Sequence, residues 1–387
     1  MKKSKIYKIL GAIILVAVVG GGILYWQLPN RHKAILKSIF LYKTGIIDNK
    51  WTVSHQEVAY KMISPDFYID GIYRSMEGPK ATNYVQLTTD TSLVYITGFK
   101  VKALDSKTKV TISKDFICHT NIDFNDVSYY SEFHLKDRIG KQYPRMATLS
   151  HGFESYEFPK GYGVAMKGKN LLYVTTQALN HNIKNISKLV KHEVTIKYSK
   201  EKDIKPLMCR TIFIELPFDE KDPFKSPLDP ASNMCVPVET TNHVYDDGKG
   251  HKLSGHWVIQ PGKKTFRSAV NAQLEIVDSL RLHAATIHVH PFATSILLFD
   301  KTAKKVVFKS KITNHPDRIG ITKIESFSSE VGIWLYHNHD YELQLNVDNP
   351  TTASIEMMGS MSLFFYDAEL DEILKYESAQ HSKIAKR

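Results

Sequence analysis

The sequence holds only three cysteines, Cys118, Cys209 and Cys235, too few for a disulfide framework to stand in for a hydrophobic core. Cys209 and Cys235 could close one loop in an oxidising compartment, leaving Cys118 as the odd thiol, and spacing does not decide the pairing. A Gly-rich phosphate loop, a Cys-x-x-Cys pair, His-Glu-x-x-His and Gly-x-Ser-x-Gly are all missing. Nucleotide-binding, zinc-protease and serine-hydrolase chemistry therefore have no motif to rest on. Acid is scarce at the start: residues 1–50 carry nine basic side chains against Asp48 alone, although the whole chain is only +11. Positive charge confined to one terminus is not the clustered face that nucleic acid requires, so no nucleic-acid partner is expected. Disorder is excluded by a composition that is 43% hydrophobic and 24% charged.

Residues 9–28 contain no charge, and Tyr25 and Trp26 stand at the end of that run. Twenty helical residues reach roughly 30 Å, a bilayer's hydrocarbon thickness, and aromatic rings favour its interface. A cleaved signal peptide is the alternative, but neither an Ala-x-Ala site nor a lipobox cysteine follows. The expectation is an uncleaved single-span membrane anchor. Lys2, Lys3, Lys5 and Lys8 hold the leading tail inside, so the bulk of the chain is extracytoplasmic, periplasmic or extracellular.

After residue 50, long apolar-periodic helices give way to short β-branched and aromatic runs separated by turn residues. These are Ser92–Val101, Lys109–Ile117, Gly163–Ala178, Glu193–Tyr198, Thr211–Leu216, Ala285–Phe299, Lys305–Lys311, Tyr341–Val347 and Ser360–Tyr366. The fold class expected is all-β, with two consecutive jelly-roll-type β-sandwich domains after an N-terminal transmembrane helix. A proline-rich stretch, Asp203–Pro237, marks the division between them. The expected layout is a cytoplasmic tail 1–8, anchor 9–28, linker 29–55, sandwiches 56–205 and 206–375, and a polar tail 376–387.

His288 and His290 lie two apart in a run that reads as strand, so period two puts both imidazoles on one face. His337 and His339 repeat the spacing, but Asn338 and Asp340 beside them indicate a loop. The mount at 288 and 290, among Ala285, Ile287, Val289 and Phe292, is the drier one. Met357, Met358 and Met361 cluster just ahead of an apolar run. Methionine commonly fills cores, yet a thioether with two imidazoles selects copper, Cu(I) above all.

Thr286-Ile-His288-Val-His290, with Glu356-Met-Met358-Gly ahead of Ser362-Leu-Phe-Phe, resembles the copper type II ascorbate-dependent monooxygenases. Phe158-Pro-Lys-Gly-Tyr-Gly163 and Tyr173-Val-Thr-Thr-Gln177 are similar to first-domain motifs of that family. The resemblance implies two jelly-roll sandwiches and a copper on His288, His290 and Met358, with Met357 as the neighbouring register. It also implies hydroxylation of a C–H bond with O₂, driven by ascorbate or another one-electron reductant. The family's second copper would fall on Cys118, His119 and position Leu179; His181 shares a face with 179 if the strand continues. A Cys118/His119/His181 site and a lost site both remain open. Thr286 and Ser362 occupy the family's substrate-carboxylate positions and supply no ionic grip, so the small-molecule or peptide substrate is not a peptidylglycine. His283, His256 and Glu356 are candidates for orienting the imidazoles. The same fold holding copper for storage, delivery or sensing is the non-catalytic alternative. A purely structural envelope protein is a third reading, with a glycosylation-type Asn185-Ile-Ser as its surface feature.

Overall fold

The computed structural model describes residues 2–217, 244–246 and 252–384. Two helices lead the chain, α1 (Lys2–Gln27) and α2 (Asn30–Lys43). Pro29, at φ −57°, separates them, its carbonyl accepting from Lys33 N. Among the described residues no helix is long and apolar enough to cross a membrane. The structure thus does not supply the span expected at 9–28; the side chains of residues 9, 10, 14 and 17 lie outside the described set. Residues 29–55, expected as a linker, are structured. α2 buries Ala34, pairs Lys37 with Asp70, and donates from Tyr42 Oη to Asp66 O at 2.7 Å.

The rest is mostly β. The strands up to residue 199 are β1 (Thr52–Gln56), β2 (Ala59–Ile63), β3 (Phe67–Ile69), β4 (Lys80–Val85), β5 (Leu93–Asp105), β6 (Ile117–Phe124), β7 (Arg145–Ser150), β8 (Ser155–Glu157), β9 (Tyr162–Lys167), β10 (Leu172–Ala178) and β11 (Lys188–Ser199). Those after it are β12 (Lys205–Phe213), β13 (Leu216–Pro217), β14 (Val244–Asp246), β15 (Lys252–Ser254), β16 (His256–Ile259), β17 (Gly262–Ala269), β18 (Ser279–Val289), β19 (Ala293–Asp300), β20 (Lys305–Asn314), β21 (Ile321–Ile324), β22 (Phe327–Tyr336), β23 (Tyr341–Asn349) and β24 (Ile355–Tyr366). A large sheet runs β1-β2-β11-β5-β9-β12-β24-β18-β22, so it passes without a break from one half into the other. Its crossing is a short parallel pairing, Lys205 with Tyr162 and Pro206 with Gly163. A four-stranded sheet, β4-β10-β6-β7, belongs to the first half, and a five-stranded one, β17-β23-β19-β20-β21, to the second.

Several expected strands are interrupted, each for a local reason. Only the end of Lys109–Ile117 is strand, because Ser113 Oγ accepts from Asp115 N and starts a 3₁₀ turn over Lys114–Phe116. Gly163–Ala178 divides into β9 and β10 at Gly168, where a Cβ would sit 1.8 Å from Thr88 Oγ1. Ala285–Phe299 divides at Pro291, which has no N–H to give the ladder. His290 O accepts from Ala293 N, and Phe292 takes φ +74° between them. The tail expected from 376 instead continues a helix, Ala368–Ile384, with Leu370 and Leu374 buried. Pro206 and Pro217 lie in strands; Pro223, Pro227, Pro230, Pro237 and Cys235 are outside the described residues, and with Cys235 goes the expected pairing to Cys209.

Burial shows where the halves meet. β23 alternates buried and half-buried residues, as a strand with one wet face should. β6, β7, β18 and β24 are buried over most of both faces, because β7 lies against β12 and β18 and His119 of β6 meets His288 of β18. The turn after β7 fastens this seam: Gly152 at φ +87° accepts at its carbonyl from Ile324 N at 2.8 Å. A Cβ on Gly152 would approach Ile321 Cγ2 to 2.5 Å. Gly152→Ala is expected to lower unfolding stability by about 2–4 kcal/mol, from left-handed strain plus overpacking. A urea melt superimposable on that of the parent would refute this.

Candidate metal centre at the seam

The two faces that meet are polar. Cross-strand partners share a face, so the pairs His288–Ser360, Thr286–Ser362 and Thr211–Ser362 set one polar surface on the second half. Met358, two residues before Ser360, lies on that same surface and is opposed by His256 on β16. Met357 points the other way and is fully buried. From the first half, Asn121 and Thr148 are direct partners and His119 opposes Ser150. Between the surfaces is a cavity of ≈ 20 Å³ lined by Met76, His119, Arg145, Thr286, His288 and Met358 among others. That is room for about one water.

A β-bulge aims the first-half donors. Ala178 pairs with Ile117 and Gln177 with His119, leaving Cys118 as the extra residue on β6. Bulges re-aim side chains, and here Cys118 Sγ comes to 3.3 Å from His119 Nδ1 although the two are adjacent in sequence. The same thiol lies 3.8 Å from Ser75 Oγ, which is 3.2 Å from His290 Nε2. The two sets of candidate ligands are therefore neighbours at one seam. Ring centres are 6.2 Å apart for His119 and His288, 5.6 Å for His288 and His290, and 5.4 Å for His256 and His290. Two imidazoles sharing an ion at metal–nitrogen distances of about 2.0–2.1 Å hold their centres roughly 5–6.5 Å apart.

Protonation favours ligation. Burial, with Arg145 and other histidines adding to it, pushes His119 down to about 3. His290 falls to about 4, again through burial, and His288 goes well below the usual imidazole range through burial and the neighbouring His290. These rings are neutral at physiological pH, with a lone pair on one nitrogen each. His290 Nδ1 lies 3.3 Å from Glu356 O, so it donates there and Nε2 faces the seam. The Nδ1 of His288 is sealed from solvent and has no hydrogen-bond partner. A buried nitrogen without a partner is what a missing ligand leaves. The chemistry of the donors fits a soft ion pairwise, yet among the described residues no three His, Cys, Asp or Glu groups converge on one point. Closing a three-donor shell requires side-chain rotation.

The other candidates fall elsewhere. β10 ends at Ala178, so the premise that put His181 in register with 179 does not hold. His181 instead packs against His151, ring centres 6.3 Å apart. His283 stacks on Tyr162 at 4.1 Å and bonds Ser329 O, and so does not orient His288. Glu356 contributes its backbone carbonyl to His290. His337 and His339 form the turn between β22 and β23, where His339 Nδ1 meets Asp300 Oδ2 at 2.7 Å. Residues that sequence reasoning missed are Ser75, Met76 and His151. The only available signal was the turn Ser150-His-Gly-Phe, which marks a bend but not its partner.

No family model and no curated protein matches the chain. Among solved structures, the chain is similar to the major capsid protein P2 of bacteriophage PM2 (9% identity, TM-score 0.28, 79% of this chain and 97% of that one). It is also similar to PNGase F, a glycosylasparaginase from Flavobacterium meningosepticum (8% identity, TM-score 0.33, 82% and 96%). A third is cowpea mosaic virus top component (8% identity, TM-score 0.31, 78% and 90%).

Proposed function

We propose that this chain is a membrane-anchored, extracytoplasmic copper-binding protein that stores, delivers or senses the metal. The observation that carries the reading is the seam itself, where His119 faces His288 and His288 neighbours His290 on one surface with Met358. Two imidazoles and a thioether would hold Cu(I) in preference to zinc or magnesium. A seam with space for about one water suits holding an ion better than admitting an organic substrate. The anchor would be α1, whose Ile13, Leu15, Val16, Val18, Leu24 and Trp26 are more than half exposed and charge-free over 9–28. The two halves would be jelly-roll sandwiches sharing one sheet.

His288→Ala/His290→Ala is expected to abolish one equivalent of bound copper while the fold, read by circular dichroism, persists. Unchanged stoichiometry removes the reading. A second reading, hydroxylation of a C–H bond with O₂ and a reductant such as ascorbate, is favoured by Met358 and His288 lining one cavity. In that case copper would supply O₂ activation, and the halves would have to part to admit substrate. Substrate-dependent oxygen uptake with ascorbate separates the two.

A further inference from the structure

His192 shows how a structural histidine is treated in this fold. Its Nδ1 is 2.6 Å from Thr176 Oγ1 and its Nε2 is 3.1 Å from Phe116 O, so both nitrogens are occupied. His151 and His181 are treated differently. His151 Nδ1 lies 3.2 Å from Ile117 O and must donate to it, which leaves the lone pair on Nε2. That Nε2 is sealed from solvent with no hydrogen-bond partner, and so is Nδ1 of His181. The two rings stand 6.3 Å apart at 87°. A buried acceptor without a partner costs about 1–3 kcal/mol, and here two of them lie on adjacent rings. Orienting an imidazole through one nitrogen on a backbone carbonyl while the other points inward is how metal-binding histidines are held.

We propose that His151 Nε2 and His181 Nδ1 hold a second metal ion, Cu(I), on ligands distinct from those of the His288/His290 centre. The proposal shares the copper chemistry of the reading above but none of its donors. Structural zinc needs four donors, and among the described residues no third His, Cys, Asp or Glu joins this pair. Magnesium and calcium require oxygen ligands. Monovalent copper is soft, takes imidazole, and is satisfied by two donors on opposite sides, which sets the ring centres roughly 6 Å apart. His151 is fixed by the Gly152 turn, whose carbonyl is bonded to the second half. His181 lies just past the end of β10 and is only half-buried, giving the ion a way in.

The test is anaerobic Cu(I) titration of the full chain in detergent against a chromophoric Cu(I) chelator. Two equivalents are expected. His181→Gln and His151→Gln should each bind one, and His288→Ala/His290→Ala should retain one that His181→Gln then removes. If the buried His151 variant fails to fold, His181→Gln carries the result alone. The ion remaining in His288→Ala/His290→Ala should show two short nitrogen contacts by X-ray absorption. Parent stoichiometry in His181→Gln, or Zn²⁺ filling the pair as tightly as Cu(I), overturns the proposal. One ion lost only with His288 and His290 leaves that centre and rejects this one; one ion lost only with His181 does the reverse.

Discussion

Arg138→Ala is expected to destabilise the protein by about 3–5 kcal/mol, the cost of stranding a buried carboxylate. Arg138 ends the 3₁₀ turn Lys136–Arg138 ahead of β7, whereas Asp367 follows β24, so their contact ties the halves together. The guanidinium donates from Nη1 to Asp367 Oδ2 at 2.6 Å and from Nη2 to Oδ1 at 3.0 Å, with Glu369 Oε2 a further acceptor at 2.5 Å. Only 3% of the Asp367 side chain is exposed. Its Oδ1 also accepts from Leu370 N and starts the C-terminal helix. Removing the arginine leaves that charge with a helix cap and no cation bonded to it, Arg210 acting on it only through space. Arg138→Lys should recover part of the loss, since one ammonium cannot reproduce a two-point grip. In Arg138→Ala/Asp367→Asn the carboxylate is gone, and the double variant should be more stable than Arg138→Ala. Urea unfolding of the four proteins checks this, and a loss under 1 kcal/mol in Arg138→Ala would count against the clamp.

Legibility in the sequence followed the range of the interaction. β23 was readable because alternation is local and its outer face is wet. β18 and β24 were readable as apolar runs, but both-face burial hides their direction, so the polar seam between Thr286, Ser362 and Asn121 could not be inferred. His288 and His290 were found by spacing, whereas the approach of His119 to His288 depends on two strands about 170 residues apart in the chain. The bulge at Cys118 leaves no local mark, since neither a glycine nor a proline announces it. α2 does not stand apart from a linker in the sequence, because its contacts, Lys37 to Asp70 and Tyr42 to Asp66 O, come from polar side chains. What escaped was set by pairing between distant segments, and that is where the candidate chemistry lies.

Acid should unfold the metal-free protein well above the range in which carboxylates titrate. His119, His192 and His290 are buried as neutral imidazoles, pushed by burial to about 3, about 4 and about 4. An unfolded chain takes up protons on them below about pH 6.5, while the folded chain takes up almost none until pH 4. Stability is therefore complete above pH 6.5 and falls as pH drops toward 4. At pH 5 each of the three costs roughly 2 kcal/mol, about 6 kcal/mol together. That is comparable to the whole stability of an ordinary domain, about 5–15 kcal/mol. The unfolding midpoint in urea should drop steeply between pH 6.5 and 5, and His192→Gln should flatten that slope without touching a candidate ligand. Copper on His290 would compete with the proton and hold the folded form to lower pH. A pH-stability curve that is level down to pH 4.5 in the metal-free protein would show that these rings are not buried neutral, and the donors invoked at the seam would then lack the lone pairs they need.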